Sequence, residues 1–237
     1  MTAFAFAVVA VLYAAVGHGG ASGYLAVMAL TGFDPVAMKP TALVLNIAVS
    51  LVGTVAFVRA GHFRWRLFGP FAIASVPLAF VGGMVHPDGN WFRLVVAASL
   101  AFAAVRLLLP TSHVTAERES PLWAVAILGA LIGFISGLIG VGGGIFLTPL
   151  LWFCRWASPK EAAAASAPFI LVNSIAGLLG NPGSVAHLPH ALPFFLVAAI
   201  AGGLLGARWG SRIAQPRHLR TVLAAVLAVA VAKLVIS

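Results

Sequence analysis

The sequence predicts an all-α polytopic membrane protein made of two inverted repeats, each a glycine-broken re-entrant helix pair plus three transmembrane helices. Three observations carry that prediction. The composition is too apolar for a water-soluble globule, landmarks recur at offsets of 123 to 127 residues, and glycines interrupt the first apolar run of each half.

Of the 237 residues, 62% are apolar and 8% charged, whereas soluble domains average about 45–50% and about 25%. The mean hydropathy is +1.07. At about 20 residues per crossing, a chain of this length has room for roughly six to eight spans joined by short loops. The formal charge of +9 comes from 14 Lys and Arg set against five acids. In a soluble chain it would suggest a nucleic-acid partner. Here the bases sit in short loops, such as Arg59 to Arg66 and Arg208 to Arg220, where anionic headgroups and the positive-inside rule place them. The expectation is therefore a multi-pass protein of the cell (inner) membrane, with the lipid bilayer and not nucleic acid as its partner. The single Cys154 excludes an intramolecular disulfide.

The first apolar run covers 3–31. It lacks the basic stretch that opens a signal peptide, and a counterpart recurs in mid-chain, so it is read as part of the fold. It is too long for one ordinary span, and Gly17-His18-Gly19-Gly20 breaks it, each glycine weakening a helix by about 1 kcal/mol relative to alanine. Runs at 41–58, 67–85 and 91–109 follow; each is read as a helix, because lipid offers the backbone no hydrogen-bond partner outside its own helix. The stretch from Pro110 to Pro121 is the most polar, with Thr111, Ser112, His113, Glu117, Arg118 and Glu119. It separates a first repeat, 1–110, from a second, 122–237, with 111–121 as linker. The second repeat opens on a long run at 122–153, broken by the string from Gly137 through Gly140, Gly142 and Gly143 to Gly144, and continues with runs at 162–180, 191–207 and 219–236. Pro149 is expected to end or kink the half-helix that restarts after the second break.

The halves match at several points in the same order. Phe92-Arg93-Leu94-Val95-Val96-Ala97-Ala98 matches Leu219-Arg220-Thr221-Val222-Leu223-Ala224-Ala225, and Asn46 matches Asn173, both at an offset of 127. Gly17-His-Gly-Gly matches Gly140-Val-Gly-Gly at 123, and Asp34-Pro35 matches Ser158-Pro159 at 124. Internal duplication of this size is characteristic of secondary transporters.

Charge placement selects the topology. If the interrupted runs cross fully, the 14 bases divide six against eight, which is no bias. If they dip in and return, one side collects Arg59, Arg64, Arg66, Arg106, Arg118, Arg155, Lys160, Arg208, Arg212, Arg217 and Arg220, leaving Lys39, Arg93 and Lys233 opposite. That bias obeys the positive-inside rule and requires the second half to be inverted, with both chain ends outside.

The breaks are the leading candidates for function. A helix restarting at membrane depth after Gly17, His18, Gly19 and Gly20, or after Gly140, Gly142, Gly143 and Gly144, presents free N–H groups and a positive dipole end, which suits an anion. The bland reading is close helix packing through small residues. Asn46 and Asn173, with Thr41, Ser50, Ser166 and Ser174 nearby, are polar groups inside apolar segments. They are read either as a substrate path or as a helix–helix hydrogen-bond pair. Thr148 lies just inside the second restart. His18 is able to donate to an anion or shuttle a proton, or to bond a backbone carbonyl. All five acids fall in loops or at helix starts, which argues against a cation channel or a carboxylate relay. No Walker motif, dinucleotide fingerprint or His/Cys ligand cluster is present, so no cofactor or metal is expected.

The string Gly137-Leu-Ile-Gly140-Val-Gly142-Gly143-Gly144-Ile-Phe-Leu-Thr148-Pro149-Leu-Leu resembles the Gly-x-x-Gly-x-Gly-Gly-Gly-x-x-x-x-Pro-x-Leu signature of the sulfite exporter TauE/SafE family of permeases, and Pro159-x-x-Ala162 leading to Ala165-Ser166 is similar to its Pro-x-x-Ala-x-Ala-Thr-Ser pattern. The first half repeats both in weaker form, without the proline after the glycines and with Lys39-Pro40-Thr41-Ala42 in place of the usual Ala-Thr-Ser. The resemblance implies ATP-independent transport of sulfur-containing or other organic anions. The expected function is thus a permease or exporter of a small anion such as sulfite, by alternating access, with a coupling proton or sodium ion and a homo-oligomer both compatible. Two other classes compete: an intramembrane enzyme using the Gly20-Ala21-Ser22-Gly23 string, and a non-transporting structural subunit.

Overall fold

The computed structural model describes residues 2–85 and 120–212, together with scattered positions (94, 96–98, 101–102, 104–105, 228 and 231–232). All of the regular elements described are helical. The runs at 91–109 and 219–236, the linker at 111–119 and the matched segments 92–98 and 219–225 lie outside the described residues, apart from those positions.

Among the described residues each long run of the sequence becomes helix, and each glycine break divides its run. The first run forms α1 (Thr2–Ala14) and α2 (Ala21–Thr31). Then come α3 (Pro35–Arg59) and α4 (Trp65–Met84). The second half gives α5 (Leu122–Ile139), α6 (Gly144–Phe153), α7 (Pro159–Leu179), a 3-10 turn (Pro182–His187) and α8 (Leu192–Arg212). Five of these are long and apolar enough to cross a membrane: α3, α4, α5, α7 and α8. At 18 residues α5 reaches that length, whereas its first-half counterpart α1 has 13.

The aligned pairs Asp34-Pro35 and Ser158-Pro159 start equivalent helices. Asp34 accepts from the Val36 N–H at 3.0 Å, and Ser158 forms a reciprocal capping box with Glu161. In both, proline takes the first helical position, where its missing N–H costs nothing. Pro149 does not end α6, which runs on to Phe153. Gly137, read in the sequence as part of the second break, is helical; the break itself is Gly140 to Gly143.

Because lipid tails are as apolar as leucine, helices in a bilayer associate through close packing rather than water exclusion. On α5, Gly129, Gly133 and Gly137 rest on the carbonyls of Phe71, Ser75 and Ala79 of α4. On α8, Gly202 and Gly206 rest on those of Ala7 and Val11 of α1, and Gly210 on that of Ala15 just past its end. A four-residue step on both members means that each pair runs parallel, with no room for a Cβ at the seam. At the centre α3 and α7 run antiparallel, with Asn46 opposite Ser174, Gly53 opposite Ala167 and Phe57 opposite Ala163. They are flanked by α8 on α3 and by α4 on α7. The first helix of each half thus packs on the fourth described helix of the other half.

In the first broken run the two helices pack on each other. Along α2, Ser22 meets Tyr13, Gly23 meets Val9 and Tyr24 meets Phe6, so α2 retraces α1. Phe6 near its start and Phe33 beyond its end both reach Phe195. After α6, Trp156 comes back to Phe71, beside which α5 placed Gly129. The result sorts the charges. Among the described residues, Arg59, Arg64, Arg66, Arg155, Lys160, Arg208 and Arg212 lie toward one end of the bundle, where Arg64 pairs with Glu161 at 2.7 Å. Lys39 lies toward the other, donating to the carbonyls of Gly83 and Val85 at 3.3 and 3.4 Å as the last turn of α4 ends.

The outer faces carry large apolar side chains, with Ile73 77% and Val197 70% exposed. In water such a belt would drive aggregation; it matches hydrocarbon. Trp65 and Trp123, at the starts of α4 and α5, are equally exposed and occupy the interfacial level that tryptophan favours.

Candidate functional site

The two glycine breaks come together in the middle of the molecule, around one side chain. Asn46 is fully buried on α3. A Cβ on Gly19 of the first break would collide with Asn46 Oδ1, and one on Gly142 of the second would stand 2.7 Å from Asn46 Nδ2 and 2.9 Å from Ser174 Oγ. Ile170 of α7 closes the same space, touching both glycine positions. Two chain interruptions about 120 residues apart in sequence are therefore separated by little more than one amide.

Each break needs glycine for a conformational reason as well. Gly20 and Gly143, the residues immediately before α2 and α6, have φ of 99° and 81°, in the left-handed region that costs other residues roughly 1–2 kcal/mol. The chain can then reverse within a few residues and start a new helix with its N-terminus inside the protein.

The two restarts differ in how those N-termini are satisfied. Asn46 Oδ1 accepts from the Ala21 N–H at 3.0 Å, so α3 caps α2. Its Nδ2 donates to Ser174 Oγ at 3.4 Å, a long contact. The aligned Asn173 does not do the same for α6. Its Nδ2 donates to the Phe169 carbonyl one turn back at 2.9 Å, its Oδ1 is buried without a partner, and no side chain of Gly143 can cap. The nearest atoms to Gly142 belong to Asn46, Ser174 and Ile170, and those to Gly143 and Gly144 include Ser136 and Ser166. Asn46 is thus a capping amide, whereas the aligned Asn173 bonds its own helix and keeps a buried oxygen unpartnered.

The other candidates take varied places. Thr148 and Ser166 share a hydrogen bond at 2.7 Å that ties α6 to α7. Thr41 is fully buried, and its hydroxyl has no partner. Gly17 lies against Ala163 and Gly140 against Lys39. His18 Nδ1 donates to the Val16 carbonyl at 3.0 Å. Ser22 donates to Tyr13 Oη at 2.9 Å, so the serine and histidine of the first break are engaged elsewhere and not with each other. Ser136 was not singled out from sequence. It is buried and its hydroxyl is unpartnered. A lone serine inside the apolar run before the break was the signal, and it stands 123 residues after Tyr13, in register with the duplication.

The chemistry on offer is narrow. Among the described residues, every buried polar side chain is a hydroxyl or an amide, and no group of three or more His, Cys, Asp or Glu comes together. Such a site binds through hydrogen bonds and helix-end dipoles.

The comparisons agree with this architecture. Residues 2–234 match the family described as "Sulfite exporter TauE/SafE". A "Probable membrane transporter protein y4hK" of Sinorhizobium fredii is 43% identical, covering 98% of this chain and 96% of that protein. A probable membrane transporter protein of Methanocaldococcus jannaschii is 26% identical over 80% of this chain and 75% of its own length. A third, YjnA of Bacillus subtilis, is 25% identical over 92% of both. No solved structure matches. A match from the second residue almost to the last, together with a transporter relative 43% identical over nearly the whole of both chains, means that this integral, multi-pass membrane protein belongs to the sulfite exporter TauE/SafE family of membrane transporters.

Proposed function

We propose that the protein is a secondary transporter of a small anion, with sulfur oxyanions such as sulfite and small organic anions as the substrate class. It works by alternating access of two inverted repeats around the meeting point of the glycine breaks. The observation that carries this reading is the convergence of both breaks on Asn46, in a bundle whose described interior holds no carboxylate. An uncapped α6 N-terminus is equivalent to roughly half a positive charge, and the residues before it lie beside the Ser174 hydroxyl and close to Ser136, whose buried hydroxyl is unpartnered. A cation placed there would face N–H groups; an anion is stabilised by them. The Asn173 oxygen, an acceptor without a donor, suits an anion that brings a proton, as bisulfite does.

The inverted-repeat part of the proposal draws support from the exchanged packing of α1 on α8 and of α5 on α4, and from both broken runs returning toward the end at which they began. The collection of bases at one end supports placing that end in the cytoplasm. Reporter fusions after Thr115 and Ser237 then report opposite sides; the same side at both positions defeats the topology.

The deciding experiment is flux into proteoliposomes against a panel of sulfur oxyanions, small carboxylates and monovalent cations, for the parent, Asn46→Leu and Asn173→Leu. Saturable anion flux lost in both variants supports the site. Saturable cation flux that survives both substitutions defeats it.

A further inference from the structure

A second polar feature lies away from the glycine breaks. Where the last turns of α3 and α8 diverge, they enclose a cleft of about 310 Å³ that is partly open to the surroundings. Val52, Val55 and Leu204 form its apolar wall, and Arg59, Arg208 and the buried Ser211 lie around the rest. Val55 and Leu204 are 41% and 44% exposed, so the wall continues the hydrocarbon-facing surface of the bundle. Both arginines are exposed and neither has a carboxylate partner among the described residues; at this end Glu161 is taken by Arg64.

The duplicated fold does not by itself demand such an opening. The equivalent junction in the other half is between α4 and α7, and it is shut by backbone contact, with Gly83 against the Gly177 carbonyl and Gly180 against the Phe80 carbonyl. The positions 127 residues from the two arginines are Ala186 and Val81, both uncharged. Of these two junctions, the one at the base-rich end has both the opening and the charge.

We propose that this cleft binds an anionic phospholipid, its phosphodiester between the Arg59 and Arg208 guanidiniums and an acyl chain along Val52, Val55 and Leu204. Guanidinium forks match phosphate oxygens in charge and geometry. An unpaired pair of them above an apolar trough, at the end where the chain's bases face the charged leaflet, fits a molecule that is anionic at one end and hydrocarbon at the other. A free oxyanion fits the charges and leaves the trough unused. The site is remote from Asn46, so its test is independent of the transport reading.

The experiment measures the melting temperature of the detergent-solubilised full chain during titration with phosphatidylglycerol, phosphatidylcholine or inorganic phosphate, because a ligand that binds only the folded state raises it. The parent is expected to gain several degrees with phosphatidylglycerol and none with the other two. The double variant Arg59→Gln/Arg208→Gln, in which both changed side chains are exposed, is expected to fold and to lose that gain. Arg66→Gln, an exposed base at the same end outside the cleft, is expected to keep it. A full gain in the double variant, an equal loss in Arg66→Gln, or an equal gain with phosphatidylcholine overturns the proposal. A gain with inorganic phosphate equal to that with phosphatidylglycerol overturns the lipid assignment in favour of a free-anion site.

Discussion

The two glycine breaks share a local pattern and differ in what meets them. In each, a left-handed glycine precedes a short helix of 11 or 10 residues that begins inside the protein. At the first, Asn46 reaches across from α3 and occupies the N-terminus of α2. At the second, Asn173 turns back along its own helix and leaves its oxygen unpartnered. Residues that align between the halves can therefore hold opposite duties. A helix N-terminus that a side chain has capped is less available to an outside anion than one that is not, and on that ground the proposed substrate seat is the second break.

The strongest way to break this comparison is at the second loop. Gly142→Val forces a side chain into a left-handed position already walled by Asn46, Ser174 and Ile170; flux is expected to fall to background while membrane insertion persists. Full flux in well-inserted protein would make the break a packing feature. Next comes the asparagine pair. Asn46→Leu removes the cap of α2 and is expected to lower stability by about 2 kcal/mol. Asn173→Leu removes an unsatisfied oxygen along with one bond and is expected to change stability by less than about 0.5 kcal/mol. Thermal melts of both variants in detergent decide the matter, and equal losses would contradict the asymmetry.

A finer contrast lies in the hydroxyl pairs that brace each break. Ser22–Tyr13 holds the first hairpin to itself, whereas Thr148–Ser166 holds the second to α7. Tyr13→Phe and Thr148→Val are each expected to cost about 1 kcal/mol, but only Thr148→Val should also change the apparent substrate affinity, measured as KM for flux. Smallest is the ion pair at the base-rich end. Arg64 is half exposed, so Arg64→Gln is expected to cost less than about 0.5 kcal/mol, and less still at high salt.

The positions of the breaks were legible in the sequence because three or more glycines within five residues are a local signal that weakens helix strongly, whereas the pairs Gly82-Gly83 and Gly202-Gly203 stay helical. The boundaries were less so. Gly137 reads as part of the same string, yet its missing Cβ serves the Ala79 carbonyl of α4, a contact between segments more than 50 residues apart in the chain. Pro149 reads as a stop or a kink, and α6 does not stop there but runs on to Phe153. Ser136 went unread because one serine in an apolar run carries no periodicity.

By itself, then, the sequence determined the membrane environment, the helical character of the long apolar runs among the described residues and the interruption of two of them. All of these follow from composition or from neighbours within a few residues, where backbone preference and lipid solvation act directly. Only the tertiary structure decided that the two breaks meet at Asn46, that Asn46 caps α2 while Asn173 stays open, and that α3 and α8 part at Arg59 and Arg208 while α4 and α7 close. Those outcomes depend on which helices lie side by side and at what depth. In an interior this apolar, that is set by where small residues allow two backbones to touch, a property of pairs of segments that neither segment displays alone.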